Sequence, residues 1–201
     1  GFCGDAGARR KASLMAEAPQ VHVSGRSALR DWLAANHATS GSVWLVSPKR
    51  PHPGFIPYDE MVEELVSWGW IDSLPRAIDE AVSANLIARR NPKSAWSAIN
   101  KAHAKAARAK GLMTPAGETA IAAAQANGQW DFLNDVEALT LPADLDAALT
   151  GKAREVWDSH PRSIKRAALE WIKTARTAPT RAARIAEVAG SAAEGLRPKP
   201  F

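Results

Sequence analysis

Three tryptophans and a set of fixed charges fall within one short stretch of this chain. Ser67-Trp68-Gly69-Trp70-Ile71-Asp72-Ser73 is followed about twenty residues later by Arg89-Arg90-Asn91-Pro92-Lys93-Ser94-Ala95-Trp96. Indole faces provide broad contact area and attract cations, so Trp68 and Trp70 beside Asp72 have the chemistry to stack a planar or cationic group. A carboxylate between Ile71 and Leu74 is costly to bury alone, which makes Arg89, Arg90 or Lys93 its expected partner. The run from Arg89 to Ser94 leads into a helix start, where free N–H groups and the helix dipole favour an anion. Trp96 and Asn100, one turn apart, extend that surface. The expected ligand-binding set is therefore Trp68, Trp70, Asp72, Arg89, Arg90, Lys93, Ser94, Trp96 and Asn100, lining a pocket for a small anionic or amphipathic ligand or a partner segment. The competing reading of each tryptophan is a core anchor, and that of Ser94 an ordinary helix cap.

Reaction chemistry is less well supported. Gly-x-Ser-x-Gly, P-loop and dinucleotide fingerprints are absent, which removes the commonest hydrolase, NTPase and dehydrogenase classes. An enzyme using Asp72 as acid or base is the alternative to a binding protein. His22, His37, His52, His103 and His160 are scattered, without the spacing of a metal site, and no cofactor is expected. The single cysteine, Cys3, excludes an intramolecular disulfide. No apolar run is long enough to span a bilayer, and a cytoplasmic protein is expected.

The formal net charge of +5 is unevenly distributed. Residues 89–110 hold seven Lys/Arg and no acid, while 111–150 hold six Asp/Glu and no base, so the bands are able to neutralise each other. Lys101, Lys105 and Arg108, with Arg162, Lys165, Lys173 and Arg176, suggest a phosphate-tracking surface. No nucleic-acid motif accompanies them, and nucleic acid is a minor alternative.

These side chains need elements to position them. Ser24 is placed to cap a helix over 25–36, with Leu29, Trp32 and Leu33 on one face. Residues 42–47 read as a buried strand, and the prolines of 48–57 as a stiff loop. Asp59 and Glu60 open a helix burying Met61, Val62, Leu65 and Val66 and ending at Gly69. Runs 71–78 and 81–90 flank Asp79-Glu80 as a hairpin, with Pro75 suited to an edge strand. Further helices are expected over 95–110 capped by Ser94, from Thr114-Pro115 to Asn127-Gly128, after Pro142, and over 161–176 and 180–193. The pattern gives an α+β fold: a small antiparallel sheet of about three strands covered by helices, then a helical C-terminal part. The expected organisation is a disordered leader over 1–20, an α+β domain over 21–128 and a helical region over 129–201.

Several motifs also resemble a known family. Tyr58-Asp59-Glu60-Met61-Val62-Glu63-Glu64, Gly69-Trp70-Ile71-Asp72-Ser73, Pro92-Lys93-Ser94-Ala95-Trp96-Ser97-Ala98-Ile99-Asn100-Lys101, Gly111-Leu112-Met113-Thr114-Pro115-Ala116-Gly117, and Trp171-Ile172 with Thr180-Arg181-Ala182-Ala183-Arg184-Ile185 are similar to the bacterial YdeI/OmpD-associated family of bacteriocin-protection proteins. The resemblance covers nearly all of 25–197. It implies a stress-protection protein linked to survival of cationic antimicrobial peptides, and carries no catalytic mechanism. Where the family commonly has Arg-Phe-Thr-Pro-Arg-Lys, this chain has Leu86-Ile87-Ala88-Arg89-Arg90-Asn91, which lacks an Arg and a Lys.

Overall fold

A computed structural model describes residues 18–198. The expected leader lies outside the described residues as far as position 17. Pro19 already accepts a backbone hydrogen bond from Trp44, and Gln20 begins a strand. Two compact units emerge, dividing between Trp130 and Asp131. No described helix is long and apolar enough to cross a membrane.

The N-terminal unit is built on a sheet of order β1-β2-β4-β3, comprising β1 (Gln20–His22), β2 (Val43–Pro48), β3 (Trp70–Ala77) and β4 (Val82–Arg89). The three expected strands are β2, β3 and β4, paired antiparallel. The fourth, β1, is a correction: its three residues run parallel to β2, pairing Val21 with Leu45. A parallel pairing is made between segments distant in sequence, and three residues carry too little periodicity to announce it. The hairpin turns where expected, with the Asp79 carboxylate accepting from the N–H groups of Ala81 and Val82 at 2.7 and 2.8 Å. Pro75, lacking an N–H, sits in edge strand β3 beside a register shift between Asp72 and Pro75.

Period-two alternation divides β2 between two cores. Val43 and Leu45 join Leu29 and Leu33 of α1 (Arg26–Asn36), Leu65 of α2 (Tyr58–Ser67), and Trp70 and Ile87. Trp44 and Val46 join Ala84 and Leu86 on the other face. A further core joins Val66 of α2 to Trp96, to Ala104 and Ala107 of α3 (Ala98–Ala109), and to Ile121 and Ala124 of α4 (Pro115–Ala126). Every residue of α2 from Met61 to Ser67 is buried.

Two caps differ from expectation. Gly25, not Ser24, is the N-cap of α1, and its N–H donates to Gly54 O at 2.9 Å. Helix α3 starts three residues later than expected, with the Ser97 hydroxyl accepting from Asn100 N–H at 3.3 Å. Trp96 precedes the cap, and its own N–H donates to Gln129 O rather than into a helix. The Thr114 cap with Pro115 at the first turn is as expected.

The C-terminal unit is helical: α5 (Asn134–Glu137), α6 (Ala143–Ala148), α7 (Lys152–Ser159), α8 (Arg162–Lys173) and α9 (Ala178–Glu194). Helix α9 packs on α6, α7 and α8, and α5 packs on α8. Leu145, Trp157, Leu169, Ile172 and Val188 fill this core. Helices α5 and α7 add to the expected set; α5 is a single turn, too short to display a helical period.

Candidate functional site

Arg90 follows directly after β4, and its backbone N–H donates to Gly69 O at 2.9 Å, holding the chain against the turn after α2. Beyond it the loop is tied locally. Lys93 N–H donates to the Asn91 side chain, Ser94 N–H to Asn91 O, and the Asn127 amide to Pro92 O at 2.8 Å. This loop returns Ala95 and Trp96 beneath the Arg90 side chain. The guanidinium lies 3.9 Å from the centroid of the Trp96 ring, and Nη2 donates to Ala95 O at 2.7 Å.

Only 8% of Arg90 is exposed, yet no carboxylate among the described residues pairs with it. Its Nε and Nη1 are buried and have no hydrogen-bond partner among the described residues. Burial pushes its pKa down to about 10, so it is still a cation at neutral pH. Beside it is a cavity of about 40 Å³, lined by Arg90, Asn91, Pro92 and Trp96 and by Ala120, Ala123 and Ala124 of α4. Asn91 and Pro92 are exposed, which places the mouth at the surface. The volume suits a few waters or one small anion. A buried donor without an acceptor costs about 1–3 kcal/mol, more when charged, so an oxygen ligand here would relieve an existing penalty.

The remaining expected site residues divide among other surroundings. Trp70 is a core side chain, edge-on to Trp32 at 5.6 Å, and its indole N–H donates to His37 O at 3.2 Å. Trp68 packs against the same core with its ring 4.6 Å from the His37 ring, and its buried Nε1 has no hydrogen-bond partner among the described residues. Trp96 belongs to the separate core with Ile121, 5.0 Å from Trp130. The structure thus joins Arg90 to Trp96, while Trp68 and Trp70 pack elsewhere. Lys93 is exposed, and Ser94 and Asn100 are half-buried near the loop.

The expected ion pair of Asp72 with Arg89, Arg90 or Lys93 is replaced by a hydrogen bond from Tyr58 Oη at 2.9 Å. Partial burial, and then the Asp72 carboxylate, raise the Tyr58 phenol to about 12. Arg89 reaches instead to Ala38 O at 3.1 Å. Pairing β3 with β4 sets Asp72 opposite Ile87 and Arg89 opposite Trp70, so the two charges are not cross-strand partners.

Several cations of the proposed phosphate-tracking surface are already neutralised. Arg108 holds Glu118 through two bonds of 2.8 and 2.5 Å, and Lys173 holds Asp135 at 2.5 Å. Arg162 lies 3.8 Å from Glu137.

A second charged centre escaped the sequence reading. Glu64, 1% exposed, accepts from Arg26 Nε and Arg30 Nη1, both at 2.7 Å. Glu63 accepts from Arg26 Nη2 at 3.0 Å and from Lys110 Nζ at 2.7 Å. Arg30 also donates to Leu112 O. Burial would raise the Glu63 carboxyl, but the hydrogen bonds and charges of Lys110 and Arg26 hold it below its ordinary value. The signal was present in the sequence: Glu63 and Glu64 fall among apolar residues on both sides, and Arg26 and Arg30 are one helical turn apart. Among the described residues no three His, Cys, Asp or Glu side chains gather as metal ligands.

Comparison with known families divides the chain. The model of the family described as Bacteriocin-protection, YdeI or OmpD-Associated matches residues 138–195. Residues 21–120 match a Domain of unknown function (DUF8412). No curated protein and no solved structure matches the chain. The resemblance read from the motifs is therefore shown for the C-terminal segment, where Trp171-Ile172 and Thr180–Ile185 lie, and the motifs before residue 121 fall under the second description.

Proposed function

We propose that this chain is a binding protein of the bacteriocin-protection type, acting in the cytoplasm, whose Arg90 pocket takes a small anionic ligand or the anionic end of a partner. The family match over 138–195 supports the protective role. The observation that carries the site is Arg90: a buried guanidinium stacked on Trp96, with two nitrogens lacking hydrogen-bond partners among the described residues, beside a cavity. Trp96 fixes the guanidinium plane, and the alanines of α4 leave space for an oxygen acceptor rather than a side chain.

The test has two parts. Calorimetric titration of the full chain with formate, acetate, nitrate and phosphate should give saturable binding in wild type and none in Arg90→Met. In a host sensitised by deletion of the endogenous gene, wild type should restore survival of bacteriocin or cationic peptide and Arg90→Met should not. Equal anion binding by both proteins would overturn the pocket; full protection by Arg90→Met would separate it from the protective role.

A further inference from the structure

The C-terminal unit has a cavity of its own, of about 180 Å³. Its inner wall is aliphatic, formed by Val136 of α5 and by Leu169 and Ile172 of α8, all nearly fully buried. Its polar lining comprises Asp135, Thr140, Lys173 and Arg181. The volume lies below the ~300 Å³ at which sites for drug-sized molecules begin, which restricts the occupant to a small metabolite.

The backbone presenting this rim is held in an uncommon conformation. Leu139 has φ 56°, in the left-handed region where glycine is the usual residue. Its N–H donates to Val136 O at 3.0 Å and Thr140 N–H donates to Asp135 O at 2.8 Å, the paired bonds of a Schellman helix end. A left-handed leucine is strained, and the result is a fixed spacing between Asp135 and Thr140 at the mouth. The Thr140 hydroxyl has no protein partner among the described residues.

The charges at the mouth are of both signs and wet. Lys173 pairs with Asp135 at 2.5 Å, and Arg181 pairs with Asp144 at 2.6 Å, through side chains a quarter to a half exposed. Exposed ion pairs contribute little to stability, so their members are able to exchange partners with a ligand at small cost. Asp135, Thr140, Lys173 and Arg181 thus line a single aliphatic slot, with Asp144 behind Arg181. A fatty acid drawing Lys173 to itself would leave Asp135 without the cation it now holds, and an amine drawing Asp135 would leave Lys173 without its carboxylate. A zwitterion with one branched aliphatic group satisfies both.

We propose that this pocket binds a free aliphatic α-amino acid of about leucine size. Its ammonium would meet Asp135 and Thr140, its carboxylate Lys173 and Arg181, and its side chain Val136, Leu169 and Ile172. The site is distinct from the Arg90 pocket and does not depend on that reading.

Calorimetry on the full chain with L-leucine is the test, with 4-methylpentanoate, 3-methylbutylamine and glycine as probes each lacking one recognised group. Leucine should bind saturably, with each analogue weaker by about tenfold or more. Thr140→Trp, a change at an exposed rim position, should abolish binding while circular dichroism and melting remain those of wild type; Asp135→Asn should weaken leucine more than 4-methylpentanoate. Arg90→Met should leave leucine binding unchanged. Absence of leucine binding up to about 10 mM, an affinity too weak to reflect a built site, would overturn the proposal. So would glycine binding as tightly as leucine, or leucine binding that survives in Thr140→Trp.

Discussion

Glu64 and Arg90 are both charged side chains beneath the surface of the N-terminal unit, and they differ in company. Both Glu64 oxygens are taken by guanidinium groups, at 2.7 Å each. Arg90 has one carbonyl and one indole face, and two of its nitrogens have no hydrogen-bond partner among the described residues. Desolvating a charge is expensive, and only close partners return that cost. Glu64 is therefore explained by folding alone: it fastens α1 to α2. Arg90 is not, and the residual penalty is what makes a ligand at its cavity favourable.

The largest effect expected from this contrast is at Glu64. Glu64→Gln removes the charge that two guanidinium groups face, and breaking a buried pair typically costs about 3–5 kcal/mol. Because Arg26 and Arg30 are about a third or less exposed and can partly turn to solvent, the loss should fall near the lower end, read as a reduced urea midpoint. Arg90→Met keeps length and loses charge, so its stability should remain within about 1 kcal/mol of wild type or exceed it. A destabilisation equal to that of Glu64→Gln would make both residues structural and end the contrast.

Acid sharpens it further. The Glu63 pKa is held below its ordinary 4.5 in the folded protein, so the unfolded chain takes up protons first as pH falls. Its contribution to stability is complete above about pH 4.5 and is lost as pH falls through the lower folded value. Melting temperatures between pH 7 and 3 should accordingly fall less steeply in Glu63→Gln than in wild type. The smallest effect concerns Asp72. Tyr58 is the only tyrosine in the chain, so alkaline absorbance reports it alone. Its midpoint should lie near 12 and move down in Asp72→Asn, with stability altered by less than about 1 kcal/mol. A midpoint unmoved by that substitution would mean that the two side chains do not meet.

What was legible in the sequence was mostly local. The Asp79 turn, the Thr114-Pro115 cap and the edge position suited to Pro75 each depend on a few consecutive residues, and each is present. That α3 starts after Ser97 and not after the expected Ser94 goes with the bond of Trp96 N–H to Gln129 O, more than thirty residues away. The partner of Asp72 depended on how α2 packs over β3, which brought Tyr58 to it and left Arg89 facing a loop carbonyl. The candidate site was half legible for the same reason. Arg90 and Trp96 lie in one loop and were readable together, whereas Trp68 and Trp70 were claimed by a core assembled from α1, α2 and the sheet.

Helix α2 has an implication for how this chain can vary. Beyond its exposed first turn, its seven consecutive buried residues supply Leu65 to one core, Val66 to another and Glu63 and Glu64 to the cation cluster, so that stretch has no outward side on which an error can be hidden. One residue inserted after Pro57 would turn everything beyond it by about 100°, aiming carboxylates at leucines and leucines at arginines. Length in this segment is therefore as constrained as chemistry, and homologous chains should tolerate exchanges among aliphatic residues there far more readily than a single insertion or deletion.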